Sequence, residues 1–261
     1  MPIEDIKQFF PDYSILGGGP HYLLTFDNKK NIEDNIKEKI LAKGTFLYDE
    51  VQMLMRQELR EHSIYFTLLE ATAMGNTKLN RIYQITQIEK TKIATYLKKL
   101  IYLDIVEREY PATEKTKRRV NVQSGLYKIK NDFFRFYFKY LFPNTSLLEL
   151  HAIEQVYQKM IDQDINIHIS QVFEGVCRNH IMKLNIHNQL PIFVIYLGRW
   201  WYKRKEIDVM AFDSDKNIYL ESVNGAMSNG YKNAQSAAIE NREKLWEYHI
   251  RKNFSFLKKW I

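Results

Sequence analysis

Three carboxylates in this chain could do chemistry. Glu174 sits in VFEGVCR, inside a helix-forming run; Asp208 sits in the strand-like run KEIDVMAFD; Glu221 closes the next one, KNIYLES. A hairpin between the last two runs brings Asp208 beside the end of the following strand. Two carboxylates meeting there suit Mg²⁺, which takes hard oxygen ligands. The ion would polarise a phosphodiester and lower the pKa of an attacking water. On this reading Asp208 and Glu221 hold the metal, and Glu174 completes the catalytic set. A lysine two residues after the glutamate would share its strand face and balance developing charge. The chain instead has Ser222 and Val223, which leaves Lys205 or Lys232 as stand-ins. A plainer reading of each acid stays open. Glu174 fits an ordinary surface helix position, and Asp208 fits a strand position paired with Arg204 or Lys205. Trp200 and Trp201 read as structural.

A second group of residues is basic. Residues 61–130 pattern as three helices (SIYFTLLEATAMG, LNRIYQIT, EKTKIATYLKKLIYLD) and then two strand-like pieces, IVEREYPA and RRVNVQSGLYKIK, joined by the polar stretch TEKTKRR. Three helices followed by a basic-tipped hairpin is the pattern of a winged helix. Its third helix, with Ile93, Leu97, Leu100 and Ile101 turned inward, would enter the major groove of DNA. Lys90, Lys92, Lys98 and Lys99 on that helix, and Lys115, Lys117, Arg118 and Arg119 at the tip, would meet phosphates, which gives affinity without base choice. The alternative is a protein-interaction module whose lysines are only a solvated face.

The elements around these residues divide the chain into stretches 1–60, 61–130 and 131–261. The first is helical: Ile32, Ile36 and Ile40 share a helix face, Gly44 stops that helix, and LYDEVQMLMRQEL repeats the pattern. The glycine-rich LGGGPHYL has no GK[ST] ending and no strand leading into it, so it reads as a hinge and not as a phosphate loop. The third stretch opens on NDFFRFYFKYLFP, with more aromatics than one helix face can carry. That helix is expected to be enclosed; base stacking on its rings is the sharper alternative. Helices and three strand-like runs follow, so the fold class is α+β. The net charge of +7 favours phosphate partners. One cysteine, Cys177, rules out an internal disulfide and a cysteine metal cluster. No apolar run reaches the roughly 20 residues of a membrane span, and MPIEDIKQFF lacks the pattern of a secretory leader. A cytoplasmic protein is expected.

Together, LGGGPHYL, LYDEVQMLMRQEL, IVEREYPATEK, YKIKNDFFRFYFKYLFPN, VFEGVCR and GRWWYKRKEIDVMAFD resemble the C-terminal region of archaeal-type, AAA-like P-loop ATPases. The resemblance implies a helical lid remnant, a winged helix, and a C-terminal domain similar to the PD-(D/E)xK restriction-endonuclease-like fold. It also implies Glu174, Asp208 and the Glu of an ExK pair as metal-site candidates. Two departures stand out. No GxxxxGK[ST] is present, so ATP hydrolysis by the family route is not expected. Where the family shows a motif like GECKW, this chain reads LESVNGAMSNG. Codons for that stretch can be chosen so that the same bases, entered at the third position of the first codon, spell GECKWRNEQW. The residues after about Leu220 are therefore expected to be a frameshifted and atypical tail, leaving the nuclease-like domain incomplete. The expected function is nucleic-acid binding by a non-ATPase fragment with a degenerate nuclease-like domain. Its alternatives are a Mg²⁺-dependent nuclease and an interaction module serving a separate P-loop ATPase chain.

Overall fold

A computed structural model describes residues 3–115, 125–190, 192–202, 205–214 and 218–221. The chain begins with helices α1 (Ile3–Leu16), α2 (Pro20–Leu23), α3 (Ile32–Asn35), which continues as a π-helical segment to Leu41, and α4 (Phe46–Glu58). Helices α5 (His62–Ala73), α6 (Leu79–Thr86) and α7 (Lys90–Tyr102) lead into strand β1 (Val106–Glu109), the short helix α8 (Ala112–Lys115) and strand β2 (Leu126–Ile129). Helix α9 (Asp132–Phe136), π-helical onward to Leu141, then α10 (Thr145–Glu149), α11 (Ile153–Val156) and the long α12 (Ile165–Ile186) follow. Strands β3 (Tyr196–Tyr202), β4 (Lys205–Phe212) and β5 (Ile218–Glu221) complete the described residues. The class is α+β, with one two-stranded and one three-stranded antiparallel sheet. No helix among these residues is long and apolar enough to cross a membrane.

The chain divides into two compact units. Unit 1 takes residues 1–109 and 125–172, and unit 2 takes residues 110–124 and 173–261. Unit 1 is built from amphipathic helices around one apolar core. Local chemistry sets several of their ends. Asn31 and Asn131 cap α3 and α9 by accepting the backbone N–H groups of Asp34 and Phe134, which satisfies donors a helix start leaves unpaired. Gly75, at φ 88°, ends α5 in the left-handed region that a Cβ disfavours; the helix before Gly44 already stops at Leu41, capped by Ala42 in extended backbone, and Gly44, at φ 81°, sits in the turn that follows. The helix opening at Asp132 is enclosed as expected: Phe133, Phe136, Tyr137, Phe138 and Tyr140 are all fully buried or nearly so. Phe66 packs edge-on against Phe138 and Phe142. These rings are core and do not form a stacking platform for bases.

Within unit 1, α5 lies against β2 and α7 against β1, with α6 packed on both helices; the ladder pairs Val106 with Ile129 and Glu109 with Leu126. The Tyr127 N–H donates to the Thr77 carbonyl at 2.7 Å, so the segment between α5 and α6 joins the edge of β2. Ile93, Leu97 and Leu100 of α7 are buried, but Ile101 is 38 % exposed. The inward stripe is therefore narrower than the sequence suggests. The expected strand over 105–112 also stops early. Pro111 cannot donate to a ladder, and its carbonyl accepts the Glu114 N–H at 2.8 Å, starting α8 where strand was expected.

In unit 2 the sheet order is β3-β4-β5. One face of β4 packs Ile207, Met210 and Phe212 with Ala112 of α8 and with Trp200. The other packs Val209 with Cys177 and Ile181 of α12, and Ala211 with Val194 and Tyr219. Asn185 fixes the approach to β3: its amide donates to the Val194 carbonyl at 2.8 Å, and its side-chain oxygen accepts the Val194 N–H at 2.7 Å.

Candidate acidic site and basic helix face

Asp208 lies at a fault in the β3–β4 ladder. Gly198 stands opposite Met210, whereas Trp200 stands opposite Ile207, so Arg199 alone faces both Asp208 and Val209. One extra residue on β4 makes a β-bulge, which re-aims side chains at that point. The packing bears the same mark. Ile207 and Met210 lie an odd number of residues apart yet share one cluster, which a regular strand, with its alternating faces, forbids. The bulge is thus what lets Asp208 and Val209 both address the α12 side. On β5, Glu221 pairs with Val209, one position from Asp208.

Helix α12 supplies the remaining groups. Glu174 is 7 % exposed, and the surface position that its sequence context allowed is not where it lies. Its carboxylate oxygen lies 3.9 Å from Arg178 Nη1, one helical turn on, and 3.8 Å from Arg199 Nε on β3. Arg178 Nη1 also donates to the Asp208 main-chain carbonyl at 3.0 Å, tying the bulge to the helix. Arg199 forms a second, close ion pair with Glu206. Burial above all pushes the Cys177 thiol up to about 11; the Glu174 and Asp208 carboxylates act the same way and Arg178 opposes them. Both acids therefore neighbour Cys177, and that thiol stays protonated and inert at neutral pH.

The expected Mg²⁺ site draws on Asp208 and Glu221, with Glu174 beside them. The oxygen donors are of the right chemistry, but the positive charge facing Glu174 already comes from two guanidinium groups. Among the described residues no group of three or more His, Cys, Asp or Glu side chains is arranged to hold a metal ion. The side chain of Glu221, one of the two expected ligands, lies outside the described residues. Of the stand-in lysines, Lys205 begins β4, and Lys232 lies outside the described residues, as does the stretch read as frameshifted. Arg178 and Arg199, the cations actually at the acids, were missed in the sequence. The Glu174–Arg178 spacing of one helical turn was a usable signal; Arg199 had none, because a bulge decides what it faces.

The described basic residues of the expected DNA contact fall in unit 1 on α7 and, for Lys115, in unit 2. Lys90, Lys92, Lys98 and Lys99 are all exposed on α7, together with Thr91 and Thr95. Two of these lysines are steadied by rings: Lys90 lies 5.0 Å from the Tyr83 ring centre and Lys99 lies 5.2 Å from that of Tyr102. Lys115 closes α8, whose residues belong to unit 2. Lys117, Arg118 and Arg119 lie outside the described residues.

Comparison with known proteins places part of the chain. Residues 137–224 match a family described as "DUF234: Archaea bacterial proteins of unknown function". This stretch contains the π-helical end of the aromatic helix, α12 and the three-stranded sheet. An uncharacterized protein of Methanocaldococcus jannaschii is 35 % identical over 235 residues, covering 85 % of this chain and 51 % of that relative. The chain thus spans about half the length of the curated relative it matches. No solved structure matches it.

Proposed function

We propose that the protein binds nucleic acid through a winged helix formed by α5, α6, α7 and the β1–β2 hairpin, and that unit 2 is a nuclease-like domain whose metal chemistry has been lost. The observation that carries the reading is the exposed face of α7, where Lys90, Lys92, Lys98 and Lys99 stand with Thr91 and Thr95 on a helix packed beside an antiparallel hairpin. Exposed lysines of this kind read the phosphate backbone and not the bases. The resemblance to the C-terminal region of AAA-like P-loop ATPases is part of the same proposal, as are DNA as partner and Lys115, Lys117, Arg118 and Arg119 as further contacts.

Salt dependence tests it. Each phosphate neutralised on duplex DNA contributes a slope of roughly −0.9 to the plot of log affinity against log salt. Binding to a random-sequence duplex is expected to weaken steeply with salt, and Lys92→Ala with Lys98→Ala is expected to flatten the slope by about 2. Affinity with no salt slope, or a slope unchanged in that double variant, would refute the proposal.

One observation favours a second reading. The same exposed α7 lysines, two of them lying over the Tyr83 and Tyr102 rings, also suit the solvated face of an interaction module serving a separate P-loop ATPase chain. Recovery of a P-loop protein on the immobilised chain, undiminished when the α7 lysines are replaced, would favour that module. A Mg²⁺-dependent nuclease would instead reveal itself by divalent-dependent cleavage that Asp208→Ala abolishes.

A further inference from the structure

Glu174, on α12 in unit 2, is 7 % exposed. A carboxylate so far out of water needs a counter-charge, so something positive has to hold it. A divalent ion is one solution. The groups at Glu174 are guanidiniums. Arg199 stands opposite the bulge, reaches Glu174 at 3.8 Å and pairs with Glu206 on the neighbouring strand. Arg178 reaches Glu174 at 3.9 Å and holds the Asp208 carbonyl at 3.0 Å. Helix α12, β3 and β4 are thus joined through one buried carboxylate. Arginine suits this position better than lysine, because its planar fork serves two acceptors at once and keeps its charge when buried.

We propose that Arg199, with Arg178, replaces a metal ion as the electrostatic lock of the acidic site, so that unit 2 holds its bulged β4 against α12 without a divalent cation. Arg199 is a positioning residue here: it acts by holding Glu174 and by excluding a competing cation from the carboxylates. The inference deepens the reading of unit 2 as a nuclease-like domain without its metal, and it is independent of the DNA-binding face on α7.

The test uses the full chain and Mn²⁺ as probe, since free Mn²⁺ gives an electron paramagnetic resonance signal that vanishes on binding. The wild-type protein is expected to leave that signal unchanged. The Arg199→Met variant, which removes the Arg199 charge from Glu174 and Glu206, is expected to gain Mn²⁺ binding. Equal behaviour of the two proteins, whether both bind or neither does, overturns the proposal. Thermal melting of Glu174→Gln, Arg199→Met and the double variant supplies a second measurement if Arg199→Met folds poorly. The double variant is expected to lose less in melting midpoint than the two single losses added, and simple additivity overturns the proposal. DNA affinity measured on the same proteins separates the two readings. Its absence in all of them refutes the winged-helix proposal and leaves the lock standing.

Discussion

His168 offers a perturbation whose size follows from the structure. It lies on the first turns of α12, 1 % exposed, with Nε2 3.0 Å from the Ser14 carbonyl oxygen. A carbonyl only accepts, so Nε2 carries the hydrogen and donates it. Nδ1 has no hydrogen-bond partner, and the rings of Phe136 and Tyr140 approach the imidazole edge-on. Burial first, then the Arg135 guanidinium, pushes its pKa down to about 3, while the Ser14 contact opposes the shift. The folded protein therefore holds a neutral imidazole, while the unfolded chain takes up a proton near the ordinary histidine value of about 6.5. Since the folded pKa is depressed, the stabilisation is complete above that ordinary value and is lost as pH falls toward the folded one. Between about pH 7 and about pH 5 the loss comes to about 2 kcal/mol. Asp12 works in the opposite direction: burial raises its carboxyl to about 6, so its contribution grows as pH falls. The assay must therefore be a difference. Urea unfolding of the wild type and of His168→Gln, followed by far-UV circular dichroism, cancels the shared groups. Glutamine keeps an amide donor for the Ser14 carbonyl and does not titrate. The wild type is expected to lose about 2 kcal/mol more than the variant across that window. Parallel stability curves would show that the imidazole is not held neutral and would refute the reasoning.

Three further outcomes follow from the packing. Phe136→Ala empties a fully buried ring position and is expected to cost about 3–5 kcal/mol in urea unfolding. Gly44→Ala meets no steric obstacle, as nothing lies within 4 Å of an added Cβ, but it strains a backbone at φ 81°. It is expected to cost about 1–2 kcal/mol, and Gly44→Asn less, by the same measurement. Asn185→Ala strips both partners from the Val194 backbone and is expected to cost about 1–3 kcal/mol, with a blue-to-red shift of tryptophan emission as the sheet carrying Trp200 and Trp201 opens at lower denaturant.

The helices of this protein were written in its sequence. The spacing of Ile32, Ile36 and Ile40 and the run of aromatics after Asp132 each impose an outcome through local geometry or sheer hydrophobic area, and they hold in the folded chain; the helix expected to stop at Gly44 ends three residues sooner, at Leu41. The strands were legible as strands, and the approach of Asp208 to the end of β5 follows from hairpin pairing alone. Other features were beyond reach of any local rule. Ile101 escapes burial because the core beside α7 is already filled by Ile93, Leu97 and Leu100. Pro111 turns an expected strand into α8 because a proline carbonyl can open a helix where its missing N–H cannot extend a ladder. Above all, the partners of Glu174 depend on one additional residue in β4, which changes what Arg199 faces. Periodicity places a side chain on a face of its own element. Only the register between elements, set by packing over the whole unit, decides which charges meet across them.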